Sequence, residues 1–146
     1  MKDFILKVNR TIRYLFYRQL NITEQNEISG IIDNNDLLLL YWNMSKADRQ
    51  HSYEVFKRTN KNSTEKDLLL LSLLHDIGKS KIHAGLLFRV LSDLGIVKSK
   101  KSEIYINHEI IGLEILEEKN INDEIINFYK NNLLKQKHII LDKTDY

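Results

Sequence analysis

The sequence predicts an all-α fold, a bundle of seven or eight helices. Three observations predict it. Apolar residues recur at spacings of three and four along most of the chain, the period of a helix with one buried face. No alternating apolar–polar run extends beyond a few residues, and the one strand candidate, Glu103–Asn107 with Ile104 and Ile106, is short. Proline is absent, so helices run without interruption and turns fall to Gly, Asn, Asp and Ser.

Taken in order, Ile5, Val8, Ile12 and Leu15 define one face of a helix over residues 2–19. The helix is basic (Lys2, Lys7, Arg10, Arg13), which suits a membrane surface or RNA, but its apolar face is read more simply as core. Asn34 or Asn35 caps a second helix through Leu37–Leu40, Tyr41 and Trp42; Ser45 caps a third, from Lys46 to Thr59. Ser63 or Thr64 opens a helix ending at His75. It is apolar nearly all round, as a helix at the centre of a fold must be. Gly78 is expected as its left-handed C-cap. A helix over 82–94 stops at Gly95, an exposed loop covers Lys98–Ser102, and helices at 103–118, 122–131 and 133–145 complete the chain.

A chain of 146 residues favours one domain, 1–146. At 42% hydrophobic and 29% charged residues, it has the balance of a globular protein with its own core. No run approaches the roughly 18 apolar residues of a membrane span, and basic residues interrupt any signal-peptide core at the N-terminus. A cytoplasmic protein with no membrane partner is expected. A net charge of +2 gives no argument for nucleic acid. Cysteine is absent, so disulfides and thiolate metal sites are excluded, and any metal must be held by His, Asp, Glu or water.

The chemistry is concentrated in Leu73-Leu74-His75-Asp76-Ile77-Gly78-Lys79. A polar His-Asp pair at the end of the most apolar helix is costly unless both groups are satisfied. A divalent cation satisfies both, taking a nitrogen lone pair from one and an anionic oxygen from the other. Further ligands are needed, and His51 and Asp145 stand on other predicted helices. Asp142, one turn before Asp145, is the alternative at the C-terminus.

The order His51…His75-Asp76…Asp145 resembles the HD-domain superfamily of metal-dependent phosphohydrolases. The surrounding words resemble one bacterial branch of it: Asp48-Arg49-Gln50-His51-Ser52, Leu74-His75-Asp76-Ile77-Gly78-Lys79-Ser80, Leu87-Phe88-Arg89-Val90, and His108-Glu109-Ile110-Ile111-Gly112-Leu113-Glu114-Ile115-Leu116. The resemblance runs from about Tyr41 to the C-terminus. It implies a helical bundle with His51, His75, Asp76 and Asp145 around one divalent ion (Mn, Co, Ni, Fe, Zn or Mg). It also implies hydrolysis of a phosphoester, often in a nucleotide, by metal-activated water. Asp76, Lys79 and His108 are the expected catalytic residues, with Lys79 offering positive charge to phosphate. His83 and His138 are expected to be structural or exposed.

Three departures qualify the carry-over. Ile125–Asn131 lacks the paired histidines of some two-metal members. Lys79 stands where some nucleotidase members have a catalytic Glu, and the last motif reads Thr144-Asp145 rather than Ala-Asp. The expected function is therefore a metal-dependent phosphohydrolase acting on a small phosphorylated metabolite such as a nucleotide. The competing expectation is a regulatory module that binds a nucleotide or phosphate without turnover.

Overall fold

The computed structural model describes residues 2–81, 88, 91–92 and 95–146. The regular elements within them are helical: α1 (Lys2–Phe16), α2 (Ile22–Ile31), α3 (Asn35–Asn43), α4 (Lys46–Asn60), α5 (Lys66–Leu74), a 3-10 turn (Ile77–Lys81), α6 (Lys100–Ile106), α7 (His108–Glu118), α8 (Asp123–Tyr129), a π-helical turn (Lys130–Lys135) and α9 (Ile139–Thr144). The fold is all-α, as expected, with no strand among the described residues. The helix expected over 82–94, with His83 and Arg89, lies outside them apart from Phe88, Leu91 and Ser92. Its expected stop is described: Gly95 has φ +70°, and the Ile96 N–H donates to the Leu91 carbonyl at 2.9 Å.

Side-chain caps start most of these helices. Asn34 Oδ1 accepts from the Asp36 and Leu37 N–H groups, and Ser45 Oγ accepts from the Asp48 N–H. α2 was not anticipated, although its capping box is written in the sequence. Asn21 Oδ1 accepts from the Glu24 N–H at 3.0 Å, and Glu24 Oε2 accepts from the Asn21 N–H at 2.8 Å.

Other boundaries differ from expectation. α5 starts after Glu65 with no side-chain cap, because Ser63 Oγ is used in the preceding turn, accepting from the Glu65 N–H. The loop expected over 98–102 holds for exposed Lys98 and Ser99 and gives way at Lys100 to α6, capped by Ser99 Oγ accepting from the Ser102 N–H. The single helix expected over 103–118 is two, and so is the strand candidate overruled: the backbone breaks at Asn107 (φ −94°, ψ 21°) and α7 begins at His108.

α5 is the central helix, with Leu68, Leu69, Leu71, Leu73 and Leu74 all buried. α4 packs along it, and α9 lies against α4. Tyr41, Ile28, Ile32, Leu116, Tyr129 and Leu141 close the core around this pair. α9 is held through Leu141 and Thr144 rather than through Ile139, which is exposed. Thr144 Oγ1 lies 2.9 Å from Thr59 Oγ1, and Arg58 Nη1 donates to the Thr144 carbonyl at 2.6 Å.

α1 reverses the expected packing. Ile5, Val8, Ile12 and Leu15 are exposed, not core. Among the side chains of α1 that are described, Arg13 is the half-buried one, its guanidinium 5.7 Å from the Tyr146 ring centroid. After the helix, buried Tyr17 and Leu20 tie the chain down. With its Arg13 side against the body, the helix turns its apolar stripe outward.

Gly78 is not a left-handed cap; Gly95 is the positive-φ glycine of the described residues. Gly78 is required for a different reason. A Cβ there would overlap the His108 carbonyl and press on the Gly112 nitrogen, so the 3-10 turn touches the backbone of α7. Gly78→Ala is expected to cost about 3 kcal/mol or more, the upper end of overpacking, because backbone cannot rotate away. Gly30→Ala is the control, since a Cβ on α2 at that position meets nothing within 4 Å. It should be neutral or stabilising by roughly 0.5–1 kcal/mol. Urea midpoints of the two variants measure the difference.

Candidate metal centre

Three helix features bring the site together. α4 turns a face toward α5 that carries His51 beside Ser52, Val55 and Thr59, all fully buried. α5 ends at His75, and Asp76 follows at the point where the backbone tightens into the 3-10 turn, so neighbouring side chains converge. Asp145 is the residue that ends α9, its N–H donating to the Leu141 carbonyl at 2.9 Å.

The resulting distances are short. His51 Nε2 lies 3.0 Å from Asp145 Oδ1 and 4.0 Å from Asp76 Oδ2. His75 Nε2 lies 3.6 Å from Asp145 Oδ1 and 3.7 Å from Asp76 Oδ2. His51, His75 and Asp76 offer ligand atoms that all fall within 4.8 Å of one another. Four donors at zinc-like bond lengths around one tetrahedral ion stand about 3.4 Å apart. Asp142, the alternative to Asp145, is exposed one turn earlier on α9.

His75 tests the fit most sharply. Its Nδ1 is 2.8 Å from the Ser72 carbonyl, which can only accept, so Nδ1 carries a proton. In the neutral ring the lone pair is then on Nε2. That atom is buried, faces both carboxylates and makes no hydrogen bond. An oriented, buried imidazole nitrogen aimed at two carboxylates is the donor arrangement a divalent ion uses. The residues present fit such an ion.

Electrostatics point the same way. Burial works to raise the Asp76 carboxyl, but the Lys79 ammonium, then His75 and His108, hold it well below the usual carboxylate value. Burial is likewise outweighed at Asp145, where His75 and His51 keep the group well below its ordinary pKa. Burial alone would lower His75, yet Asp76 and Asp145 hold it above the ordinary imidazole value.

Three more side chains touch the cluster. Lys79 Nζ is 2.7 Å from Asp76 Oδ2, and both are buried. Its ammonium sits on the carboxylate. His108, the first residue of α7, places Nε2 3.0 Å from Asp76 Oδ1 while its side chain stays partly exposed. Lys137 was not anticipated: its Nζ is 2.6 Å from Asp145 Oδ2. No sequence signal marks it, because it depends on the π-helical turn and the loop after it. His138 is structural, its Nδ1 accepting from the Ile140 N–H at the start of α9. Among the described residues His51, His75 and Asp76 form the one such metal-suited group.

A family model described as HD domain matches residues 49–145, which include His51, His75, Asp76 and Asp145. No curated protein and no solved structure matches the chain.

Proton and metal compete here, which gives a pH prediction. His75, with its folded pKa raised, contributes stability below an imidazole value of about 6.5 that is lost as pH rises through the folded pKa. The two aspartates contribute stability above about 4 that is lost as pH falls through their depressed values. Ligation needs His75 neutral, so affinity for Zn or Mn should fall about tenfold per pH unit once the pH is below the His75 pKa. Calorimetric titration across pH 6 to 8 checks this; an affinity independent of pH would show that binding displaces no proton from His75.

Proposed function

Because the chain belongs to the HD-domain family, we propose that it is a metal-dependent phosphohydrolase acting on a small phosphorylated metabolite, with nucleotides as the first class to test. The observation that carries this reading is the convergence of His51, His75 and Asp76 within 4.8 Å, beside Asp145 and two lysine ammonium groups. His51, His75, Asp76 and Asp145 would hold the ion. When bound, a divalent ion lowers the pKa of a coordinated water and offsets charge on phosphoryl oxygens.

The chain's own residues then divide the remaining work. His75 is held by the Ser72 carbonyl with Nε2 turned into the site, so no reorientation is needed on loading. Lys79, bonded to Asp76, keeps that carboxyl ionised and adds a buried positive charge next to where a phosphoryl group would sit. His108, partly exposed and 3.0 Å from Asp76 Oδ1 through Nε2, is the residue we assign to proton exchange with a leaving group. The apolar wall from α5 and Ile77 keeps bulk water from the back of the cluster.

One observation favours a second reading, a regulatory module that binds a nucleotide or phosphate without turnover. Lys79 stands at the position where resembling nucleotidases carry a Glu, and it is bonded to Asp76. Turnover separates the two. With Mn, Co, Ni or Mg added, the protein is expected to hydrolyse a model phosphoester or a member of a nucleotide panel. Asp76→Ala should abolish this with helical content intact. Lys79→Ala should lower kcat/KM about 10²-fold at unchanged metal content. Nucleotide binding with no hydrolysis under any of these metals would select the regulatory module.

A further inference from the structure

Outside the metal centre, the feature that the fold leaves unused is α1. Its outward residues are large and apolar: Ile5, Val8, Ile12, Leu15 and Phe16, the last two 64% and 80% exposed. Such a stripe is costly in water unless something covers it. It cannot turn inward without giving up what already faces the body, since Arg13 lies against Tyr146 and the helix leads into buried Tyr17 and Leu20.

Charge selects the cover. α1 carries Lys2, Lys7, Arg10 and Arg13 against a single acid, Asp3. A second copy of the chain carries the same net positive charge on this helix, which disfavours pairing through it. A surface that is apolar beneath and anionic on top matches both properties at once. From Ile5 to Phe16 the stripe is about 17 Å long at the helical rise. The hydrocarbon core of a bilayer is about 30 Å thick, and no helix among the described residues is long and apolar enough to cross a membrane. A helix of this kind lies in the interface plane.

We propose that α1 docks the protein onto an anionic lipid bilayer, its Ile5–Phe16 stripe entering the acyl boundary, with the positive charge of Lys2, Lys7 and Arg10 drawing the helix to the anionic surface. This reopens the membrane-surface alternative that the core reading of α1 had displaced. It is independent of the metal centre and of hydrolysis.

Flotation of the full chain with vesicles tests it. Binding to phosphatidylcholine vesicles containing phosphatidylglycerol is expected to be at least about tenfold tighter than to phosphatidylcholine alone, and to weaken with salt. Leu15→Glu and Phe16→Glu change exposed residues, so they should leave the melting temperature unchanged and remove the binding. Lys2→Gln with Lys7→Gln should weaken it and reduce its salt dependence. No association with the anionic vesicles would overturn the proposal, as would binding that Leu15→Glu leaves intact. A stable dimer in solution that Leu15→Glu dissociates would assign the stripe to a second copy instead.

Discussion

Two carboxylates, buried Asp76 and half-buried Asp145, are held against a core built from leucine and isoleucine, and the arrangement around them follows from the need to keep them there as anions. Desolvating a carboxylate without compensation costs far more than a domain's net stability. Compensation here comes from several directions at once: Lys79 and His108 on Asp76, Lys137 and His51 on Asp145, and His75 between the two. Together they come from four stretches of chain. The cluster therefore acts as a clasp between α4, the end of α5, the start of α7 and the end of α9. A divalent ion adds positive charge at the point where these groups converge.

The helices are shaped to make that convergence possible. The tight 3-10 turn after α5 aligns Asp76 with Lys79, three residues on. The missing side chain at Gly78 lets that turn rest on the backbone of α7, and the break at Asn107 starts α7 at His108, beside Asp76. At the other end, the π-helical turn at Lys130–Lys135 precedes a loop whose His138 N–H returns to the Asn132 carbonyl, and from that loop Lys137 reaches Asp145. Irregular helical turns occur on both sides of the site, as is common where side chains must be re-aimed.

Much of this was legible in the sequence, for reasons that differ by element. α5 declared itself because a helix apolar on every side has only one place to go, and a His-Asp pair at its end demands compensation. Asn34, Ser45 and Gly95 read correctly because cap chemistry is local. α2 was equally local, in Asn21 and Glu24, and was missed because its apolar residues are few. What could not be read was tertiary in origin. The stripe of α1 has the same period whether it faces a core or the outside, and a tertiary contact, Arg13 against Tyr146, sets which way it turns. Gly78 looked like a cap, but its need for space comes from His108, thirty residues along the chain in another helix. Lys137 is one of many lysines until the π-helical turn positions it.

The central claim is that His51, His75, Asp76 and Asp145 form one cation site rather than an ion-pair network complete in itself. Anomalous diffraction from crystals grown with manganese or zinc measures this directly. The account predicts a single strong peak enclosed by His51 Nε2, His75 Nε2, Asp76 and Asp145, roughly 2.0–2.2 Å from each donor for zinc. Clear density with no peak there, and Asp145 still paired with Lys137 and His51, would contradict it.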